Sequence, residues 1–100
     1  MWNHNYYVYI LTNPDKTTLY IGVTNDLNVR LIQHLNNAGT NKSFAGKYHC
    51  YLLVYYERFT HIEHAIDREK EIKKWRREKK DRLVESVNPD WRVLNKEVGN

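Results

Sequence analysis

Tyr6-Tyr7-Val8-Tyr9-Ile10-Leu11-Thr12 and Thr18-Leu19-Tyr20-Ile21-Gly22-Val23, separated by a turn at Pro14-Asp15, decide the fold. Each run alternates with the two-residue period of a strand. In the first, Val8 and Ile10 fall on one face and Tyr7, Tyr9 and Leu11 on the other; in the second, Leu19, Ile21 and Val23 oppose Tyr20 and Gly22. Joined by so short a turn, the two runs predict an antiparallel hairpin. If its apolar faces share one side, Tyr9 and Tyr20 share the other, and a slip of one residue in register would separate them.

Downstream, Thr24-Asn25-Asp26 offers capping side chains for a helix over about 25–37, whose Leu27, Leu31 and Leu35 recur at the spacing of a buried stripe. Arg30 and His34 stand one turn apart at the edge of that stripe, so both can point at one ligand. Residues 36–47, with Gly39, Thr40, Ser43 and Gly46, read as a polar loop, and Tyr51 to Tyr56 as a third strand, apolar and aromatic enough to be well covered. Thr60 and Glu63 form a capping-box pattern for a second helix running through residue 77 or beyond, with Ile62, Ala65, Ile66 and Ile72 as its core stripe. Glu69 falls on the same stripe. A lone carboxylate there costs several kcal/mol unless it is paired, wetted or bound to a metal. A further helical stretch from Asp81 to Val87 stops before Asn88-Pro89, after which Trp91, Val93 and Leu94 are expected to fold back as a clasp.

One hundred residues suit one compact domain, and the chain is expected to be a single domain over 1–100 with its motif core at about 6–94. The apolar share of 41% and charged share of 28% are those of an ordinary globular protein. No apolar run nears the roughly 18 residues of a membrane span, and Met1-Trp2-Asn3-His4 lacks the features of a secretory leader, so the expected location is the cytoplasm. Cys50 is the only cysteine and cannot form an internal disulfide, in keeping with a reducing compartment. Of the +4 net charge, residues 61–82 contribute +3, from nine cations against six acids. Their C-terminal part bunches Lys73, Lys74, Arg76, Arg77, Lys79, Lys80 and Arg82. Such a patch favours nucleic acid through counterion release, or forms a solvated helix face laced with ion pairs.

Hydrolysis of a phosphodiester needs an activated water, stabilisation of the non-bridging oxygens and help for the departing alkoxide. Arg30 can fork two hydrogen bonds to phosphate, His34 or a tyrosine hydroxyl can handle a proton, and Glu69 can hold a magnesium ion. A tyrosine acting as base needs its pKa, ordinarily about 10, lowered by a nearby cation. Taken singly, each residue also has a structural reading: Tyr9 and Tyr20 as sheet aromatics, Arg30 as a surface cation, His34 as a helix end, Gly22 as a strand-to-helix turn, and Glu69 in a salt bridge to Arg30 or Lys73. His61 and His64 have zinc-ligand spacing, but no cysteine or second histidine pair completes such a site.

Together these residues resemble the GIY-YIG nuclease domain, in particular its small stand-alone members. Tyr7-Val8-Tyr9 corresponds to the first half-motif, with Tyr7 in place of its glycine, and Tyr20-Ile21-Gly22 to the second, intact. Arg30, His34, the segment Ala65-Ile66-Asp67-Arg68-Glu69, Lys73-Lys74-Trp75 and Asn88-Pro89-Asp90-Trp91 complete the likeness over about 6–94. The resemblance implies an α+β fold, a three-stranded antiparallel sheet flanked by helices, and Mg2+- or Mn2+-dependent hydrolysis of DNA. It implies Tyr9 as general base or water-orienting group, Tyr20 supporting nucleophile and phosphate, Arg30 stabilising the charge that develops, His34 assisting proton transfer and Glu69 anchoring the metal. Lys73, Lys74, Arg76 and Arg77 are the expected nucleic-acid contacts, and Asn88 or Asn95 the late polar residue of the site. With no attached DNA-binding domain, the expected substrate is DNA recognised by structure (branched, nicked or single-stranded) or with weak specificity, in repair or recombination, with a protein partner as an alternative source of targeting. A catalytically inactive nucleic-acid-binding module and a protein-interaction domain are the competing expectations.

Overall fold

The computed structural model describes residues 5–98. The expectation placed on Met1 to His4 lies outside them. Strands β1 (Tyr6–Thr12), β2 (Leu19–Thr24) and β3 (Leu52–Phe59) form one antiparallel sheet in the order β2-β1-β3. The helices are α1 (Leu27–Asn37), α2 (Phe44–Lys47), α3 (Ile62–Lys73), α4 (Arg77–Val87) and α5 (Asn95–Val98). Among the described residues no helix is long and apolar enough to cross a membrane.

The hairpin register pairs Tyr9 with Gly22 and Leu11 with Tyr20, which puts both motif tyrosines on one face, as the alternation predicts. Val8, Ile10 and Ile21 on the other face pack with Ala65, Ile72 and Val84 from α3 and α4. The Tyr9 face is covered by Leu27 and Leu31 of α1, Ala45 of α2 and Leu94. Because both faces are buried, polar-out alternation is absent from the central strand. On β3 a bulge opposite Ile10 and Leu11 breaks the alternation, so Val54 and Tyr55 join one core while Leu53 and Tyr56 serve the other.

Several boundaries and stripes differ from expectation. In α1 the buried row is Leu27, Leu31 and His34, and Leu35 is 57% exposed. The polar loop contains the one-turn helix α2. The capping box is not made: His61 is the N-cap of α3, with no side-chain cap. That helix stops at Lys73, and Trp75 tucks against the core before α4 begins at Arg77, four residues ahead of its expected start. Ile62 and Ile66 are exposed, because α3 meets the sheet with Ala65 and Ile72 and keeps Arg68 and Glu69 half-buried between them. Arg68 accounts for this orientation, for its guanidinium donates to Glu57 on β3 at 2.9 Å.

The clasp forms through Trp91 and Leu94, while Val93 stays 50% exposed, and its hydrogen bonds are polar anchors. Leu94 N–H donates to Leu53 O at 2.8 Å, Asn95 Oδ1 accepts from Leu53 N–H at 2.7 Å, and Asn95 Nδ2 donates to Tyr51 O at 3.0 Å. Asn88 Nδ2 donates to Val54 O and Arg92 O, both at 2.9 Å. The C-terminal segment thus covers the outer edge of β3, which would otherwise offer unpaired backbone groups to another chain.

Candidate nuclease site

Three rings from three elements meet on the α1 face. Tyr9 of β1 and Tyr20 of β2 lie 6.2 Å apart between centroids, Tyr9 and His34 of α1 5.7 Å, and Tyr20 and His34 5.2 Å. The Tyr9 hydroxyl is 2.9 Å from His34 Nε2. Gly22 makes this possible: a Cβ built there would stand 2.5 Å from the Tyr9 hydroxyl oxygen and 2.6 Å from Cζ. Its backbone is not left-handed, so close approach rather than a turn is what requires glycine at this position.

The site has depth. Tyr9 is fully buried and His34 nearly so, whereas Tyr20, Arg30 and Glu69 are half-buried and face outward. Burial, with the Tyr20 hydroxyl pushing the same way, raises the Tyr9 pKa well above its ordinary value; Arg30 opposes this and Glu69 adds to it. The lowered pKa that a tyrosine base needs is therefore not supplied by the protein's own groups, because desolvation outweighs the single cation. His34 is shifted below its ordinary 6.5 by burial and by Arg30, so it is neutral near pH 7. A neutral imidazole beside a protonated phenol can accept its proton through Nε2.

Arg30 precedes His34 by one turn of α1, and among the described residues no carboxylate pairs with it. Glu69 arrives from the opposite layer, on α3, which packs along β1 and β2. Its carboxylate still acts on the Tyr9 hydroxyl, and its ion-pair partner is Lys73 at 3.2 Å, not Arg30. Tyr9, Tyr20, Arg30 and His34 are thus brought together, with Glu69 close enough to be felt electrostatically.

Other expected residues are engaged elsewhere. Every polar atom of the Asn88 and Asn95 amides is spent on the clasp, so neither is available as a late polar group of the site. Arg77 is engaged at the surface: it donates to Asp81 Oδ1 at 2.7 Å and to the Thr17 and Lys16 carbonyls at 2.8 Å each, bracing the hairpin turn against α4. Lys73 pairs with Glu69, so that of these four exposed cations Lys74 and Arg76 are the two in no ion pair among the described residues. Sequence reasoning missed Phe44 of α2, whose ring stacks on Tyr20. The signal was present as Phe44 and Tyr48, four apart with Lys47 between them, at the end of a stretch, residues 36–47, read only as polar loop.

Among the described residues no group of three or more His, Cys, Asp or Glu side chains could form a protein cage. A single outward carboxylate suits magnesium, which keeps several waters and takes its other oxygens from substrate phosphate.

The GIY-YIG catalytic domain profile matches residues 5–82, and the chain belongs to this family. It is similar to a UPF0213 protein of Bacillus pumilus, 37% identical over 87% of this chain and 86% of the relative. A UPF0213 protein of Haloquadratum walsbyi is 39% identical over 83% of this chain and 90% of its own length. The solution structure of a UPF0213 protein from Bacillus halodurans matches with a TM-score of 0.57 and 29% identity, covering 96% of this chain and 99% of that one. The three-stranded antiparallel sheet with its helices is the fold of that structure. GIY-YIG nucleases generally use a divalent metal.

Proposed function

We propose that the protein is a Mg2+- or Mn2+-dependent endonuclease that hydrolyses phosphodiester bonds in DNA, selecting by structure or with weak specificity, in repair or recombination. The observation that carries this reading is the Tyr9 hydroxyl set 2.9 Å from a neutral His34, beneath an outward Tyr20 and beside Arg30. Glu69 would hold the divalent ion, which when bound would supply charge neutralisation at the phosphate and acidity to water. Arg30 grips the phosphate with two parallel donors. Tyr20, the ring that reaches solvent, orients the water. As the water oxygen attacks, its proton moves by way of Tyr20 and Tyr9 to His34 Nε2 while the ester P–O bond breaks and the departing alkoxide takes a proton from solvent, so no tyrosinate has to pre-exist and the raised pKa of Tyr9 is no obstacle. Tyr9 is then a positioning residue within the relay, not the group that touches substrate. Lys74 and Arg76 contribute affinity for the backbone.

The test is nicking of supercoiled plasmid by the purified chain with Mg2+. Glu69→Gln should abolish it, and Tyr9→Phe and Tyr20→Phe should each lower it about 10²-fold or more, as loss of a proton-transfer group does. Nicking that persists undiminished in all three variants refutes the assignment. The ion pair between Lys73 and Glu69 favours a second reading, a nucleic-acid-binding module without catalysis. Salt-sensitive DNA binding with no Mg2+-dependent nicking at any concentration would select it.

A further inference from the structure

A row of aromatic rings leads out of the site and stays uncovered. Tyr20 stacks on Phe44 with 6.5 Å between centroids and 26° between planes, and Phe44 lies 4.7 Å from Tyr48. Phe44 is 53% and Tyr48 41% exposed. The Lys47 ammonium stands 5.4 Å from the Tyr48 centroid, and Arg30 is on the neighbouring α1.

The local fold holds these rings outward. Ser43 caps α2 by accepting from Gly46 N–H at 3.0 Å, and Gly39 N–H donates to Gly46 O at 2.8 Å. A Cβ on Gly46 would meet Asn37 O at 2.6 Å, so only glycine lets α2 press onto the end of α1. Gly39, at φ 84, makes the turn between them. With Ala45 and Gly46 buried, Phe44 and Tyr48 share the opposite side of the turn. Fully burying one such ring is worth about 1.5–3 kcal/mol, and here two adjacent rings each forgo roughly half of it while standing next to the Lys47 ammonium and the candidate site.

We propose that Phe44 and Tyr48 form a stacking platform for unpaired nucleobases of a single-stranded stretch flanking the phosphate held at Arg30, with Lys47 on its backbone. The chemistry selects this ligand: π-faces for the rings, negative charge for the cations, and a strand continuous with the site. Bases inside a duplex are already stacked and cannot use it. The proposal rests on the nuclease reading for which strand is bound, not for whether bases are bound.

Fluorescence anisotropy of a dye-labelled oligothymidylate of about 12 nucleotides, a length typical of single-strand sites, tests it on the full chain with EDTA present. Phe44→Ala and Tyr48→Ala should each weaken binding about tenfold, the usual effect of losing one stacked base, and Phe44→Trp should retain it. An oligonucleotide of the same length with abasic sugars should bind wild type as weakly as the ordinary one binds the double variant, and duplex of that length should be bound equally by all. Variants that bind oligothymidylate like wild type, or that lose abasic and duplex binding in equal measure, overturn the proposal. So does sedimentation showing that the rings serve self-association while oligonucleotide binding is untouched. If this binding pattern holds and plasmid nicking is absent, the nuclease reading falls and the platform stands; nicking without the pattern has the reverse meaning.

Discussion

Gly22→Ala isolates the contact on which the candidate site is built. The new methyl would sit 2.5 Å from the Tyr9 hydroxyl oxygen and 2.6 Å from Cζ, both below the distance at which carbon tolerates a neighbour, and in tight contact with Tyr20 Cε2 at 3.0 Å. Tyr9 has no exposed surface and its ring is walled by Leu27, Leu31 and Leu53, so it cannot swing away without opening the layer. Overpacking of this kind costs about 1–3 kcal/mol. Displacing the hydroxyl from His34 leaves a buried group without its partner and adds about 1–3 kcal/mol. Against this, alanine lowers the entropy of the unfolded chain and stabilises by about 0.4–1 kcal/mol where nothing clashes. The clash wins, with a net loss of about 1–5.5 kcal/mol and a fall in Tm of about 4–8 °C for each kcal/mol lost.

Urea unfolding of Gly22→Ala, Tyr9→Leu and the double variant measures the effect and its origin. Leucine removes both Tyr9 atoms that the methyl strikes, so the Gly22→Ala penalty should shrink by at least about 1 kcal/mol in that background, the scale of coupling between touching residues. Gly22→Ala as stable as wild type would refute the close-approach argument. An equal penalty in both backgrounds would place the cost in the strand backbone instead.

Tyr9 and Tyr55 both carry pKa values raised chiefly by burial, the second also by its hydrogen bond to Glu57. The folded state thus keeps protons that the unfolded chain releases near pH 10, so stability present below that pH should fall as pH rises past it, and two tyrosines should ionise last in an absorbance titration, one in Tyr9→Phe. Asn95→Ala strips partners from Leu53 N–H and Tyr51 O and should cost about 1–3 kcal/mol in urea unfolding while leaving plasmid nicking per folded molecule unchanged. Neutralising Lys74 or Arg76 should each reduce the slope of log binding constant against log salt by about 0.7–0.9. Arg77→Gln should lower Tm and leave that slope alone, since its guanidinium is spent on Lys16, Thr17 and Asp81.

The hairpin was legible because alternation fixes which side chains share a face, and Tyr9 and Tyr20 obeyed it. Helix faces were half legible. Measured around α1 from Leu27, Leu31 lies at about 40°, His34 at about −20° and Leu35 at about 80°. A hydrophobicity count favours Leu35, but the angle favours His34, and the Tyr9 hydroxyl rewards a buried polar ring with a partner. The same arithmetic on α3 sets Ile66 about 100° from Ala65 and Glu69 only about 40° away, which is why a charged residue outranks an aliphatic one there. The missed edge of α4 has its cause in Trp75 and Arg68. Their packing against the core and Glu57 turns the chain where local pattern alone would continue it.

Depth was not legible at all. Alternation and spacing say that two hydroxyls face one side, not that one is sealed beneath the other. That distinction is made by His34 packing against the Tyr9 hydroxyl, by the tilted Tyr20 ring 6.2 Å from that of Tyr9, and by α2 being held close through Gly46. It changes the chemistry assigned to each group. An exposed Tyr9 flanked by Arg30 would tend toward a lowered pKa and could act directly as base, whereas a sealed one has its pKa raised and can work only by passing a proton between partners. The two cases separate in the pH dependence of nicking. A relay through protonated tyrosines shows an acid limb from His34, displaced below 6.5, and no rise toward alkaline pH as a tyrosinate accumulates. A rate that climbs steadily toward pH 10 would identify a tyrosinate base, and would require the Tyr20 and Phe44 cover to open before each turnover.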